Sequence, residues 1–173
     1  MLKNPVKSLT RKIRAYQALS FIPKGEVHVD IGCGLEKYLL SKSPCRIKIG
    51  FDKKIGNVLV DKIDIKDNSV DCVTMLAVIE HLEYPSQIIK ECFRILKRDG
   101  VLIITTPKAK SEWLIKLYSS EFRKNPAEHK QYYDYCSMQK LLNGYFSILI
   151  YRGFLLGLNQ LFVCNKINHA GNA

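Results

Sequence analysis

The sequence predicts an α/β fold: a doubly wound, mostly parallel sheet with helices on both faces. Three observations predict it. Short runs rich in Val and Ile recur at 27–31, 46–52, 58–61, 70–76 and 101–105. Helical patterns fall between several of them, the clearest being the stripe Ile88, Ile89, Cys92, Phe93, Ile95 and Leu96. No repeat, low-complexity tract or linker interrupts the 173 residues, so one domain over 1–173 is expected. Strands that alternate with helices run parallel, because each crossover returns the chain to the same end of the sheet.

The first element is a helix over residues 8–21, with Ser8 as its cap. Leu9, Ile13, Tyr16 and Leu19 or Ser20 fall near one face, and Lys7, Arg11, Lys12 and Arg14 lie mainly on the other. Pro23-Lys24-Gly25 then turns the chain into a strand at Val27, Val29 and Ile31. That strand stops at Asp30, Gly32 and Gly34, and helix-forming residues resume from Leu35 to Leu40. Glycines let backbone approach a ligand closely, and a helix start offers unpaired N–H groups, so this turn suits an anionic or zwitterionic ligand. Leu35, Glu36 and Lys37 follow Gly34, so the third glycine of the dinucleotide fingerprint is missing and a nicotinamide or flavin dinucleotide is disfavoured.

The second strand, 46–52, ends in Asp52, at the distance from Gly32 that a βαβ unit needs to set a carboxylate beside a ribose. A turn or cap role is the plainer reading of the same aspartate. Asp61 and Lys62 end a short third strand, and 67–69 turn the chain into a fourth. Pro85 opens the striped helix, Gly100 is read as its stop, and 101–105 as the fifth strand. Beyond 107 the pattern loosens. A helix capped by Ser111 with Trp113, Leu114, Leu117 and Tyr118, a polar loop over 121–131, a short helix over 137–142 and two last strands at 145–151 and 160–165 are expected. The apolar connection 152–158 packs on the core, lines a pocket or meets a second copy in a homodimer.

Composition bounds the function. The hydrophobic fraction is 47% and the charged fraction 25%, and the most apolar stretch, 146–164, is broken by Arg152, Asn159 and Gln160, so a spanning helix is not expected. Without a signal-peptide core at its start, the chain is expected in the cytoplasm. Six cysteines lack Cys-x-x-Cys or zinc spacing, which favours reduced thiols and no metal site. The net charge of +11 comes from the flanks: residues 1–24 carry six basic and no acidic residues, while 25–104 carry twelve of each. Such flanks serve nucleic acid, anionic lipid or a phosphorylated substrate, or simply keep the protein in solution.

Asp30-Ile31-Gly32-Cys33-Gly34 resembles the first motif of the class I S-adenosylmethionine-dependent methyltransferases, Asp/Glu-x-Gly-x-Gly-x-Gly, with Glu36 where the third glycine usually stands. Asp67-Asn68-Ser69-Val70-Asp71-Cys72-Val73 resembles the family's Asp-x-Ser-Phe-Asp-Val-Val segment, Glu80-His81 its Glu-His pair, and Thr105-Thr106-Pro107 its strand end. The resemblance implies a Rossmann-like sheet of seven strands, the last antiparallel, with S-adenosyl-L-methionine as cofactor. Residues 25–107 would form the cofactor-binding core and 108–173 the substrate side. It further implies Asp30, Gly32, Cys33 and Gly34 around the methionyl part, Asp52 on the ribose, Asp61 and Lys62 beside adenine, backbone from Leu76 and Ala77, and Lys53 among the cofactor-binding residues.

Glu36 either binds the cofactor's ammonium or ribose, or obstructs the pocket. His81 and His129 are the candidate bases, and tyrosines 132, 133 and 135 the candidate acceptor lining. The expected activity is methyl transfer to a small molecule such as a sugar, lipid-linked or quinone-like precursor. Against the alternative, an RNA or other nucleic-acid methyltransferase, stands Leu76-Ala77-Val78-Ile79 where an Asn-Pro-Pro-Tyr-like tetrapeptide would be expected. A non-catalytic cofactor-binding or partner subunit is the third reading.

Overall fold

The computed structural model describes residues 5–52, 63–109 and 131–167. Helix α1 (Pro5–Leu19) leads into β1 (Val27–Ile31), α2 (Tyr38–Lys42) and β2 (Ile47–Phe51). Next come β3 (Val70–Leu76), a 3-10 turn (Ile79–His81), α3 (Pro85–Ile95) and β4 (Leu96–Pro107). Helix α4 (Tyr135–Leu142), β5 (Phe146–Phe154) and β6 (Asn159–Lys166) complete the order.

The described strands form one sheet, ordered β2-β1-β3-β4-β6-β5. The first four are parallel, and β6 runs antiparallel to both β4 and β5. The chain reverses direction in the sheet between β1 and β3, where crossovers leave to opposite sides and open a crevice at the carboxyl ends. The expected strand at 58–61 and the helix expected from Ser111 lie outside the described residues.

Side-chain alternation builds a core on each face. Val29, Ile31, Val73, Met75, Leu102 and Ile104 meet Ile88, Ile89, Cys92 and Ile95 of α3 and Met138 and Leu142 of α4. Cys72, Ile103, Leu161 and Val163 point the other way, toward Ala15, Ala18 and Ile22 after α1 and Leu39 in α2. Asp134 caps α4 in a reciprocal box with Ser137, which explains why that helix begins before 137.

Several expectations need correction. Ser8 lies inside α1 rather than capping it. The buried face of α1 is Ala15 and Ala18, while Leu9 is 59% and Tyr16 75% exposed, so the helix is rotated from its predicted setting. Two small residues let α1 settle close to the sheet, and close approach outweighs the burial of Leu9 and Tyr16. Helix α2 starts at Tyr38 rather than Leu35, because Lys37 adopts φ 45° and delays it.

Gly100 does not stop α3, since Leu96 is already extended. It lies instead in a bulge of β4 between Leu96, opposite Val70, and Val101, opposite Cys72. A β-carbon there would come 2.8 Å from Leu96 Cδ2 and 3.0 Å from the Lys97 carbonyl. Lys97 uses the bulge to reach Asp71 at 2.7 Å, and Asp71 in turn accepts from the Glu26 and Val27 amides. The connection 152–158 is part strand and part turn: β5 runs to Phe154, and Leu155 to Leu158 form a turn with Leu156 99% exposed.

Candidate active site

Gly32 and Gly34 have φ of +79° and +66°, values that L side chains rarely adopt, so the turn after β1 needs glycine at both. The amides of Gly32 and Cys33 donate to the Phe51 carbonyl at the end of β2. The amide of Gly34 donates to Oδ2 of Asp52 at 2.9 Å. The glycine loop and the acid predicted for the ribose therefore converge on one spot, joined by a hydrogen bond.

A β-carbon on Gly32 would stand 2.1 Å from Val78 Cγ2. The loop thus also touches the end of β3, where Ala77 takes φ 58° and donates its amide to Thr105. Leu76, half-buried, ends that strand. The Cys33 side chain turns inward over Gly50, and burial pushes its thiol up to about 11, which leaves it unreactive near neutral pH.

Asp30 sits beneath the loop, 3% exposed, and accepts from the Thr74 hydroxyl at 2.6 Å. Burial raises its carboxyl to about 7, with the charge of Asp52 adding to the shift. Glu36 reaches back to α1, where Arg11 Nη2 lies 2.5 Å from its Oε2. Lys53, Asp61, Lys62 and His129 lie outside the described residues.

On the far side of the crevice, Glu80 is 1% exposed. Burial pushes its carboxyl up, while its own amide, His81 and Arg14 pull it down. Its backbone carbonyl accepts from Gln131, whose side chain accepts from the Tyr133 hydroxyl. The Tyr133 carbonyl accepts from Gln160 of β6, opposite Thr106 of β4. The Thr105 hydroxyl and the Nε atoms of Arg11 and Arg14 are buried without a hydrogen-bond partner among the described residues, while the Thr106 hydroxyl faces Glu80. The hollow lined by Ile63, Asp64, Ile65, Lys66, Asp67 and Arg94 shares no residue with this group.

Sequence reasoning missed Arg11 and Arg14, which it set on the solvent side of α1. The signal lay in Arg11, Ala15, Ala18 and Ile22, spaced by four, three and four, which mark a helix face narrower and smaller than the Leu9–Tyr16 stripe. Glu80 was visible only through the Glu-His pair.

Residues 45–104 match a family model described as a methyltransferase domain. A 56-residue stretch is 41% identical to a probable S-adenosylmethionine-dependent methyltransferase of Mycolicibacterium smegmatis, covering 32% of this chain and 21% of that protein. Over these residues the chain is similar to S-adenosylmethionine-dependent methyltransferases. The match spans about a fifth of the curated relative's length.

Solved methyltransferase structures share the fold over nearly the whole chain. One comes from the Haloferax volcanii complex of the Trm112 methyltransferase activator with a candidate methyltransferase, with TM-score 0.72 and 14% identity, covering 96% of this chain and 95% of that one. A second is a methyltransferase of Aquifex aeolicus, with TM-score 0.62 and 19% identity over 92% and 98%. S-adenosylmethionine, the cofactor of the methyltransferases it resembles, fits the residues present. A nucleoside with a zwitterionic tail would find glycine backbone, the Asp52 carboxylate and the Arg11 guanidinium beside the turn.

Proposed function

We propose that this chain is an S-adenosylmethionine-dependent methyltransferase whose acceptor is a small molecule, of the sugar, lipid-linked or quinone-like kind. The observation that carries the reading is the 2.9 Å hydrogen bond from the Gly34 amide to Asp52, which brings the glycine turn and a ribose-binding carboxylate to one point. When bound, S-adenosylmethionine supplies a methyl group on a positively charged sulfur. The residues of the chain then need only hold donor and acceptor in line and exclude water, and orientation of this kind supplies about 7–11 kcal/mol of a barrier.

In this reading Gly32, Cys33 and Gly34 receive the methionyl part along their backbone, above the buried Asp30. Asp52 accepts from the ribose hydroxyls, Lys53 adds to the cofactor site, Asp61 and Lys62 flank the base, and Leu76 and Ala77 close the crevice from β3. His81 or His129 takes the acceptor's proton where one must leave. The tie from Glu80 through Gln131 and Tyr133 to Gln160 supports an acceptor side that is buried and polar. A small-molecule acceptor is supported over RNA by α1: two of its basic side chains, Arg11 and Arg14, face Glu36 and Glu80 instead of standing free for phosphates. Six free thiols, five of them buried, support a reducing compartment such as the cytoplasm.

The test is methyl transfer from isotopically labelled S-adenosylmethionine, offered a metabolite extract and total RNA in parallel. Label is expected in the small-molecule fraction, and His81→Ala or His129→Ala should slow transfer without loss of donor binding. Label in RNA moves the assignment to the nucleic-acid class, and binding without transfer to either moves it to a non-catalytic subunit.

A further inference from the structure

Helix α1 lays Arg11 across the glycine turn. Its Nη2 lies 2.5 Å from Glu36 Oε2, and its Nη1 stands 3.9 Å from where a β-carbon on Gly34 would be. Gly34 is also the residue whose amide Asp52 holds, so a carboxylate for the ribose and an ion pair flank the same turn. Both side chains of the pair are 41% exposed, and ion pairs that solvent reaches contribute little to folding. Nε of Arg11 meanwhile has no acceptor, so this guanidinium offers more donors than Glu36 and its surroundings take up.

Asp30 and Asp52, the other carboxyl groups beside the turn, are already engaged, the first by Thr74 in the interior and the second by the Gly34 amide. Glu36 is thus the accessible carboxylate on the loop itself, at the position where the family pattern has glycine.

We infer that Arg11 and Glu36 are the receptor for the amino-acid end of the methyl donor, Arg11 for its α-carboxylate and Glu36 for its α-ammonium. This rests on the donor-binding reading above. The two side chains exchange one ion pair with each other for two with the ligand, and the zwitterion carries one charge of each sign to match them. A planar guanidinium suits a carboxylate, because two parallel N–H groups meet two oxygens. Helix α1 then becomes part of the donor site, and specificity for an intact amino-acid tail comes from residues 25 apart in sequence.

The experiment uses the full chain and two commercially pure nucleosides: S-adenosylhomocysteine, which has the amino-acid end, and 5′-methylthioadenosine, which lacks it. Dissociation constants are measured by titration calorimetry for the natural chain, Arg11→Gln, Glu36→Gln and the exchanged pair Arg11→Glu with Glu36→Arg. The natural chain is expected to prefer S-adenosylhomocysteine. Each single variant should lose about tenfold of that preference, the size of one charge-assisted hydrogen bond, with methylthioadenosine affinity unchanged. Retained methylthioadenosine binding also shows that each variant is folded.

The exchanged pair keeps an ion pair but presents it reversed to the zwitterion, so it should not regain the preference. Recovery of S-adenosylhomocysteine binding in the exchanged pair would make the contact a strap for the loop and overturn the inference. Single variants that keep the natural preference would overturn it too, while leaving donor binding intact. If the natural chain binds neither nucleoside, the donor-binding reading falls, and this inference with it.

Discussion

His28 and Asp30, neighbours on one face of β1, are joined through a single hydroxyl. The Nε2 of His28 lies 2.9 Å from Thr74 Oγ1, and that hydroxyl donates to Asp30 at 2.6 Å. On the other side, Nδ1 of His28 lies 2.9 Å from the Ser43 hydroxyl, which also accepts the Cys45 amide. Since Thr74 gives its proton to Asp30, His28 gives Nε2–H to Thr74 and accepts from Ser43 at Nδ1. All four side chains are buried. The glycine turn thus rests on a hydrogen-bonded row running from α2 to the end of β1.

This row sets opposed pH responses. Burial lowers His28 from 6.5 to about 4, so the unfolded chain takes up its proton first and stability falls as pH drops from 6.5 toward 4, by about 3 kcal/mol. Burial raises Asp30 from 3.8 to about 7, so its contribution is full below 3.8 and lost as pH rises through 7, by about 4 kcal/mol. Because the two trends oppose each other, urea midpoints of the natural chain should vary little between pH 4 and 7. Asp30→Asn leaves the histidine trend and should become acid-sensitive, whereas His28→Gln should gain stability on acidification. Midpoints that move the same way in both variants would contradict the assignment.

Asp52→Asn keeps an oxygen to accept the Gly34 amide but removes the charge. Folding should change by about 1 kcal/mol or less, seen in thermal melts, while S-adenosylmethionine affinity should fall about tenfold or more by calorimetry. A melt shift with unchanged affinity would mean that the carboxylate serves only the turn.

The two loop glycines should differ in cost. Gly34→Ala faces strain from φ +66° in open surroundings, about 1–2 kcal/mol. Gly32→Ala adds a β-carbon 2.1 Å from Val78 Cγ2 and should cost about 3 kcal/mol or more in denaturant unfolding. Val78→Ala placed in the Gly32→Ala background should recover part of that loss. A double variant no better than Gly32→Ala would leave strain, not contact, as the whole cost.

Glu80→Ala leaves Arg14 desolvated with its nearest named counter-charge gone, for a loss of about 3–5 kcal/mol. Replacing both, Arg14→Met with Glu80→Leu, should cost less than the sum of the single changes, because no charge is stranded. Additive losses in that double-mutant cycle would show the two residues to be uncoupled.

Sequence alone determined the strand that carries Asp30, the glycines at 32 and 34, the acid at 52 and the amphipathic helix from Pro85. Each is legible because it depends on neighbours a few residues away: side-chain period, turn chemistry, and the fixed span of one βαβ unit. Tertiary structure decided the face that α1 turns inward, the bulge that claims Gly100, the row from Ser43 through His28 and Thr74 to Asp30, and the meeting of Arg11 with Glu36. Those outcomes join positions 15 or more apart, or depend on how closely Ala15 and Ala18 let a helix approach a sheet. Periodicity says which residues share a face, but only the opposing surface decides which face it will cover.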